Sequence, residues 1–91
     1  MYHLHLTNQY RKSYKKSANR RDFDLEVLNE IIDTLRNGRD LPVSYRNHKL
    51  NGKLDEFFEC HLGYDIVLVY RRSISDNVLT FDYIGPHTDI F

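Results

Sequence analysis

Apolar and polar side chains alternate with period two from Tyr2 to Leu6, YHLHL, which predicts a short strand with one buried face. After Thr7 or Asn8, either of which can cap a helix, QYRKSYKKSAN sets Tyr10 and Tyr14 four apart among basic residues. That spacing predicts a helix resting on the core by a narrow stripe. A stronger helical pattern follows. DFDLEVLNEIIDTLRNG opens on Asp22 or Asp24 as cap, repeats Leu25, Leu28, Ile31, Ile32 and Leu35 at helical spacing, and stops at Gly38. RDLPVSYRNHKLNGKL, with Pro42 and the Asn51-Gly52 turn signal, predicts a long connection. Three strand patterns come next, DEFFECHL over 55–62, DIVLVYRR over 65–72 and NVLTFDYIG over 77–85. Turn-length gaps at Gly63-Tyr64 and Ser73 to Asp76 make them an antiparallel meander. The expected order is β-α-α-β-β-β, an α+β domain over residues 1–91 whose antiparallel sheet carries the first strand and is covered on one face by the two helices.

Ninety-one residues hold one modest core, and the hydrophobic fraction of 41% is enough to form it. The single cysteine, Cys60, excludes an internal disulfide and fits a reducing compartment. MYHLHLTNQYRK lacks the apolar run of a secretory leader, and no stretch approaches a membrane span, so a soluble cytoplasmic protein is expected. Formal net charge is zero, yet its distribution is uneven. Arg11, Lys12, Lys15, Lys16, Arg20 and Arg21 lie in a segment without acids, whereas residues 54–91 hold seven acids against Arg71 and Arg72. Segregation of this kind permits a positive face for an anionic partner.

Candidate chemistry gathers in the second half. His48 lies in the long connection, His61 near the end of one strand, His87 after the last, and Asp65 opens the strand that follows His61. A tight turn between those strands would put His61 and Asp65 at one end of the hairpin, where imidazoles and a carboxylate can exchange protons near neutral pH. Each also has an ordinary reading, His61 on a solvated sheet face and Asp65 bonding its turn. The histidine spacing has no CxxC, HxxxH or HExxH core, so no metal or other cofactor is expected. Cys60 should face the core, opposite His61. Arg46, Lys49 and Lys53 share the loop of His48 and suit phosphate contacts. Tyr45, Tyr64, Tyr83 and Phe91 offer aromatic faces for unpaired bases, or for the core.

YRNHKLNG, ECHLGYDIVLVYR and FDYIGPHTDIF together resemble the C-terminal half of the YafQ branch of the RelE-type bacterial toxins, with its H-x-L-x-G loop, H-x-x-x-D strand-turn-strand and G-x-H-x-x-x-F terminus. The motifs span residues 45–91, and the element order extends the likeness to the rest. The resemblance implies a RelE-like fold and the toxin of a type II toxin–antitoxin system. The activity it implies is that of a ribosome-dependent endoribonuclease cutting mRNA in the A site without metal, by attack of the substrate 2′-hydroxyl. It makes His48, His61, Asp65 and His87 the catalytic cluster. Arg46, Lys49, Arg71, Tyr83 and Phe91 become the RNA- and phosphate-binding set, Phe91 positioning a base. Partners would be a cognate antitoxin, the ribosome and mRNA, with no membrane. Two positions depart from the branch: Tyr83 stands where relatives carry arginine, and Ile66 where they often carry an aromatic. The alternative is a noncatalytic toxin of the same fold, a ParE-like gyrase binder or a decayed antitoxin-binding protein.

Overall fold

The computed structural model describes residues 1–52, 56–63 and 65–89. Strand β1 (His3–Leu6) leads into helices α1 (Asn8–Ser17) and α2 (Leu25–Arg36). A 3-10 turn at Val43–Tyr45 and a two-residue strand β2 (His48–Lys49) follow, then β3 (Phe58–His61), β4 (Ile66–Ser73), β5 (Val78–Pro86) and a terminal 3-10 turn at His87–Asp89. The five strands form one sheet in the order β1-β5-β4-β3-β2. The expected α+β architecture and the β3-β4-β5 meander are both present. Two features differ from expectation. The long connection contributes β2, which pairs with β3 through His48 opposite Glu59, and β1 lies parallel to β5, from Leu6 opposite Phe81 back to His3 opposite Val78. The rest of the sheet is antiparallel. A parallel neighbour is available to β1 because its return connection carries two helices, the length such a pairing needs.

The helices begin and end where their polar residues dictate. Thr7 Oγ1 accepts from Tyr10 N at 3.1 Å to cap α1 and also donates to Phe81 O at 3.2 Å, so one hydroxyl starts the helix and ties it to β5. Asp24 Oδ1 accepts from Glu26 N and Val27 N at 3.0 and 3.2 Å, which selects Asp24 over Asp22 as the cap of α2. Beyond Phe81, β5 has no β1 neighbour, and α1 serines take that place. Ser13 Oγ accepts from Ile84 N at 3.1 Å and Ser17 Oγ donates to Ile84 O at 3.0 Å. A strand edge that would otherwise carry unpaired amides is thereby satisfied.

Alternation along the strands divides the side chains between two faces. Cys60, Leu62, Ile66, Leu68, Tyr70, Phe81 and Ile84 turn toward the helices and join Tyr10, Leu28, Ile31 and Leu35 in the main core. Each fully buried Leu, Ile or Phe there contributes about 1.5–3 kcal/mol. Cys60 is buried as expected. On the opposite face Val67, Val69 and Tyr83 form a second, smaller cluster with Leu50 and Phe57. A bulge makes this arrangement possible. Val69 pairs with Tyr83 and Tyr70 with Phe81, which leaves Asp82 as the extra residue and changes the phase of β5. Among the described residues no helix is long and apolar enough to cross a membrane.

Candidate active site

The site lies on the sheet face away from the helices. Register places His48 opposite Glu59, Glu59 opposite Val69 and His61 opposite Val67, and paired residues project to the same side. Glu59 and His61, two apart on β3, therefore stand together over the small Val67–Val69–Tyr83 cluster, with His48 brought in from β2. His87 arrives from the other side. Its backbone N donates to Asp65 O at 3.0 Å just after β5 ends, which holds the imidazole against the same patch.

The centre of the patch is a carboxylate. Glu59 Oε1 lies 3.7 Å from His48 Nε2, 3.4 Å from His61 Nε2 and 3.3 Å from His87 Nε2. The Glu59 side chain is 3% exposed and His61 15%, whereas His48 and His87 are 51% and 59% exposed, so a buried acid sits at the floor and two histidines form an accessible rim. None of the three contacts is a hydrogen bond. Glu59 Oε1 is buried without a hydrogen-bond partner, and so is His61 Nδ1. His48 Nδ1 is 2.8 Å from Arg46 O, and since a carbonyl only accepts, that nitrogen carries a proton. Burial pushes the His61 imidazole below its usual range. The Glu59 charge opposes the shift, and Arg46, His48 and His87 reinforce it. His48, Glu59 and His61 each present one ligand-type atom within 4.8 Å of the others, a set also able to hold a metal ion.

Three of the four expected catalytic residues, His48, His61 and His87, thus converge. Asp65 does not join them through its carboxylate, which pairs with Arg20 at 3.3 Å while its backbone carbonyl receives His87. Glu59 takes the central position, and sequence reasoning missed it. The available signal was a second ionisable residue two before His61 on the same strand, because i and i+2 share a side.

The expected binding residues separate in the same way. Arg46 is exposed, and its charge reaches His61. Lys49 is exposed on β2. Arg71 is held by Asp82 at 3.1 Å and lies over the Phe57 ring at 5.5 Å, so it is a strut of the sheet face. Tyr83 is buried in the small cluster, and its hydroxyl donates to Pro86 O at 3.1 Å. Tyr45 packs against the main core. Phe91, Lys53 and Tyr64 lie outside the described residues. On the α1 side Gln9, Lys12, Lys16, Arg20 and Tyr83 line a groove of about 710 Å³. Arg20 connects it, through Asp65, to the segment bearing His87.

Comparison with known proteins places the chain in a family. Residues 2–91 match the family model described as "Bacterial toxin of type II toxin-antitoxin system, YafQ". The mRNA interferase toxin YafQ of Escherichia coli K12 is 29% identical over 89 residues, covering 97% of this chain and 94% of the relative. A copper-bound mutant toxin from Helicobacter pylori superposes with a TM-score of 0.88 at 36% identity, both chains covered in full. The toxin in the E. coli DinJ-YafQ toxin-antitoxin complex superposes with a TM-score of 0.83 at 28% identity over 99% of this chain and 97% of that one.

Proposed function

This chain belongs to the YafQ family of type II toxin–antitoxin toxins, and from that membership we propose that it is an mRNA interferase acting on message in the ribosomal A site. The observation that carries the chemistry is the convergence of three imidazole Nε2 atoms on the buried Glu59 Oε1, with two of the rings open to solvent. Cleavage through the 2′-hydroxyl needs a group to take its proton, a group to protonate the departing 5′-oxygen, and donors or positive charge around the phosphorane. Glu59, acceptor-only as a carboxylate, takes the 2′-hydroxyl proton. His87, the most exposed of the three rings, gives its proton to the 5′-oxygen. His48 and His61 face the phosphate oxygens, and Arg46 supplies the cation that Tyr83, in place of the family arginine, cannot. The bond from phosphorus to the 5′-oxygen breaks as the 2′-oxygen bonds to phosphorus, which leaves a cyclic 2′,3′-phosphate.

Asp65 acts in this scheme by position, since its carbonyl holds His87 N and its carboxylate holds Arg20. The basic face of α1, from Arg11 to Arg21, provides the positive surface for an acidic segment of a cognate antitoxin in the cytoplasm. The deciding experiment is cleavage of an mRNA on programmed ribosomes by wild type and His87→Ala, with free mRNA as control. Cleavage on ribosomes that is lost in the variant supports the assignment. A folded wild type that leaves the message intact overturns it in favour of a noncatalytic toxin of the same fold.

A further inference from the structure

Beneath the exposed segment that carries His48 lies a contact outside the imidazole patch. Tyr70 Oη donates to Asn47 Oδ1 at 2.6 Å, which joins the main core to the residue before His48. We infer that Tyr70 and Asn47 are positioning residues for His48, and that their bond holds β2 in the register that turns this imidazole toward Glu59. β2 has two residues, both exposed, so its own burial does little to fix its phase. A slip of one residue would send each of its side chains to the opposite face. Lys49 pairs with Phe58 and Phe58 with Tyr70, and the Phe58 and Tyr70 rings stack at 5.6 Å on the helix side of the sheet. Alternation back from Lys49 places Asn47 on that same side. Tyr70, 3% exposed, meets it there with a hydroxyl that needs an acceptor. His48, between Asn47 and Lys49, then faces the other way, onto Glu59. Leu50 packs against the outer cluster and its N donates to Phe57 O at 2.9 Å, which holds the chain after His48. The Tyr70 bond holds it before.

The same bond acts on the tautomer of the ring. Arg46 has φ 52° and ψ 41°, a left-handed conformation that costs an L residue free energy and persists where its surroundings hold it. Arg46 N donates to Val43 O at 2.9 Å on one side of this turn, and Asn47 is tied to Tyr70 on the other. In that geometry Arg46 O receives His48 Nδ1 at 2.8 Å, and Nε2 is left facing the patch. Without the Tyr70 hydroxyl the turn is free to relax, the carbonyl leaves the ring, and both tautomers become populated. The consequence for cleavage rests on the mRNA-cleavage reading, while the consequence for the imidazole does not.

The test is nitrogen-detected NMR of the histidine rings in the isotope-labelled full-length chain, at a pH where His48 is neutral, with its signal assigned through His48→Gln. Wild type should show the pattern of a ring protonated on Nδ1. Tyr70→Phe, which removes the hydroxyl at nearly constant volume, should raise the Nε2-protonated fraction of His48 about 5–10-fold, as the loss of one hydrogen bond implies. The His3 signal, on β1, should not move. Asn47→Ala should match Tyr70→Phe, the double variant should add nothing further, and Asn47→Asp, which keeps an acceptor for Tyr70, should restore the wild-type pattern. On programmed ribosomes Tyr70→Phe and Asn47→Ala should lower kcat by about 3–10-fold with KM unchanged, and Asn47→Asp should recover it. A Tyr70→Phe chain that loses urea midpoint yet keeps the His48 pattern makes the hydroxyl a matter of core stability alone and overturns the inference, as do additive effects in the double variant. A changed pattern with cleavage at the wild-type rate overturns the catalytic consequence. No cleavage by wild type overturns the mRNA reading, with the NMR still deciding the tether.

Discussion

Glu59→Gln isolates the carboxylate charge at almost constant volume. In the wild type each charged pair between Oε1 and a protonated imidazole 3.3–3.7 Å away gains roughly 4–5 kcal/mol gross at an effective dielectric constant near 20. Against this stands a desolvation penalty of several kcal/mol for a carboxylate exposed to only 3%. The amide removes both terms, so the unfolding free energy should change by no more than about 1–2 kcal/mol, in either direction. Catalysis has no such compensation. Loss of a positioned proton acceptor costs about 10²–10⁴-fold, equivalent to roughly 3–5 kcal/mol of barrier. The assay pairs initial cleavage rates on programmed ribosomes with the urea midpoint of the same preparation. A Glu59→Gln variant that keeps its midpoint and cleaves within about threefold of wild type would refute the central role given to this residue. If the midpoint collapses, the group is structural and the argument fails in the other direction.

Other consequences can be measured separately. A Cβ on Gly85 would lie 2.6 Å from Tyr83 Oη and 3.2 Å from Ser17 Oγ, so Gly85→Ala should lower stability by about 1–3 kcal/mol and displace the Pro86–His87 segment. Adding Tyr83→Phe, which removes the hydroxyl, should recover part of the urea midpoint, whereas an additive double variant would contradict that source of strain. Asp24→Ala should cost about 1 kcal/mol through the lost cap of α2, read as a lower midpoint with unchanged slope. Burial raises the hydroxyl pKa of Tyr10, with Tyr14 adding to it, and burial likewise raises that of Tyr70. The native state then keeps protons that the unfolded chain releases, so this contribution is intact below about pH 10 and is lost as pH rises further. Tyr10→Phe should flatten that alkaline decline in a urea series. Cys60, pushed up to about 12 chiefly by burial, should react with a thiol reagent at neutral pH only at the rate of unfolding.

Local pattern determined most of the scaffold. Period-two and helical spacing placed β1, both helices and the meander within a few residues, because each element must bury one face whatever its neighbours are. Cap chemistry narrowed the helix starts to Thr7 or Asn8 and to Asp22 or Asp24, and hydrogen bonds to Tyr10, Glu26 and Val27 settled the choice. The motif histidines were equally legible, since imidazoles in a loop, a strand and a terminal segment stand out in a small domain. β2 was not, because two residues with both side chains exposed carry no periodic signal and pair only when β3 is already there.

Tertiary structure decided what the polar residues do. Asp65 looked like the acid of the cluster because it lies close to His61 in sequence, but an arginine 45 positions earlier, Arg20, holds its carboxylate. Arg71 looked like a free cation until the bulge set Asp82 beside it. Glu59 was passed over in the sequence. Its burial beneath three imidazoles depends on register between β2 and β3 and on the hydrogen bond from His87 N to Asp65 O. Sequence alone established which side chains can exchange protons or bind cations. Their encounter around one oxygen was established by long-range pairing, because no local spacing brings residues 48, 59, 61 and 87 within 4 Å of a shared atom.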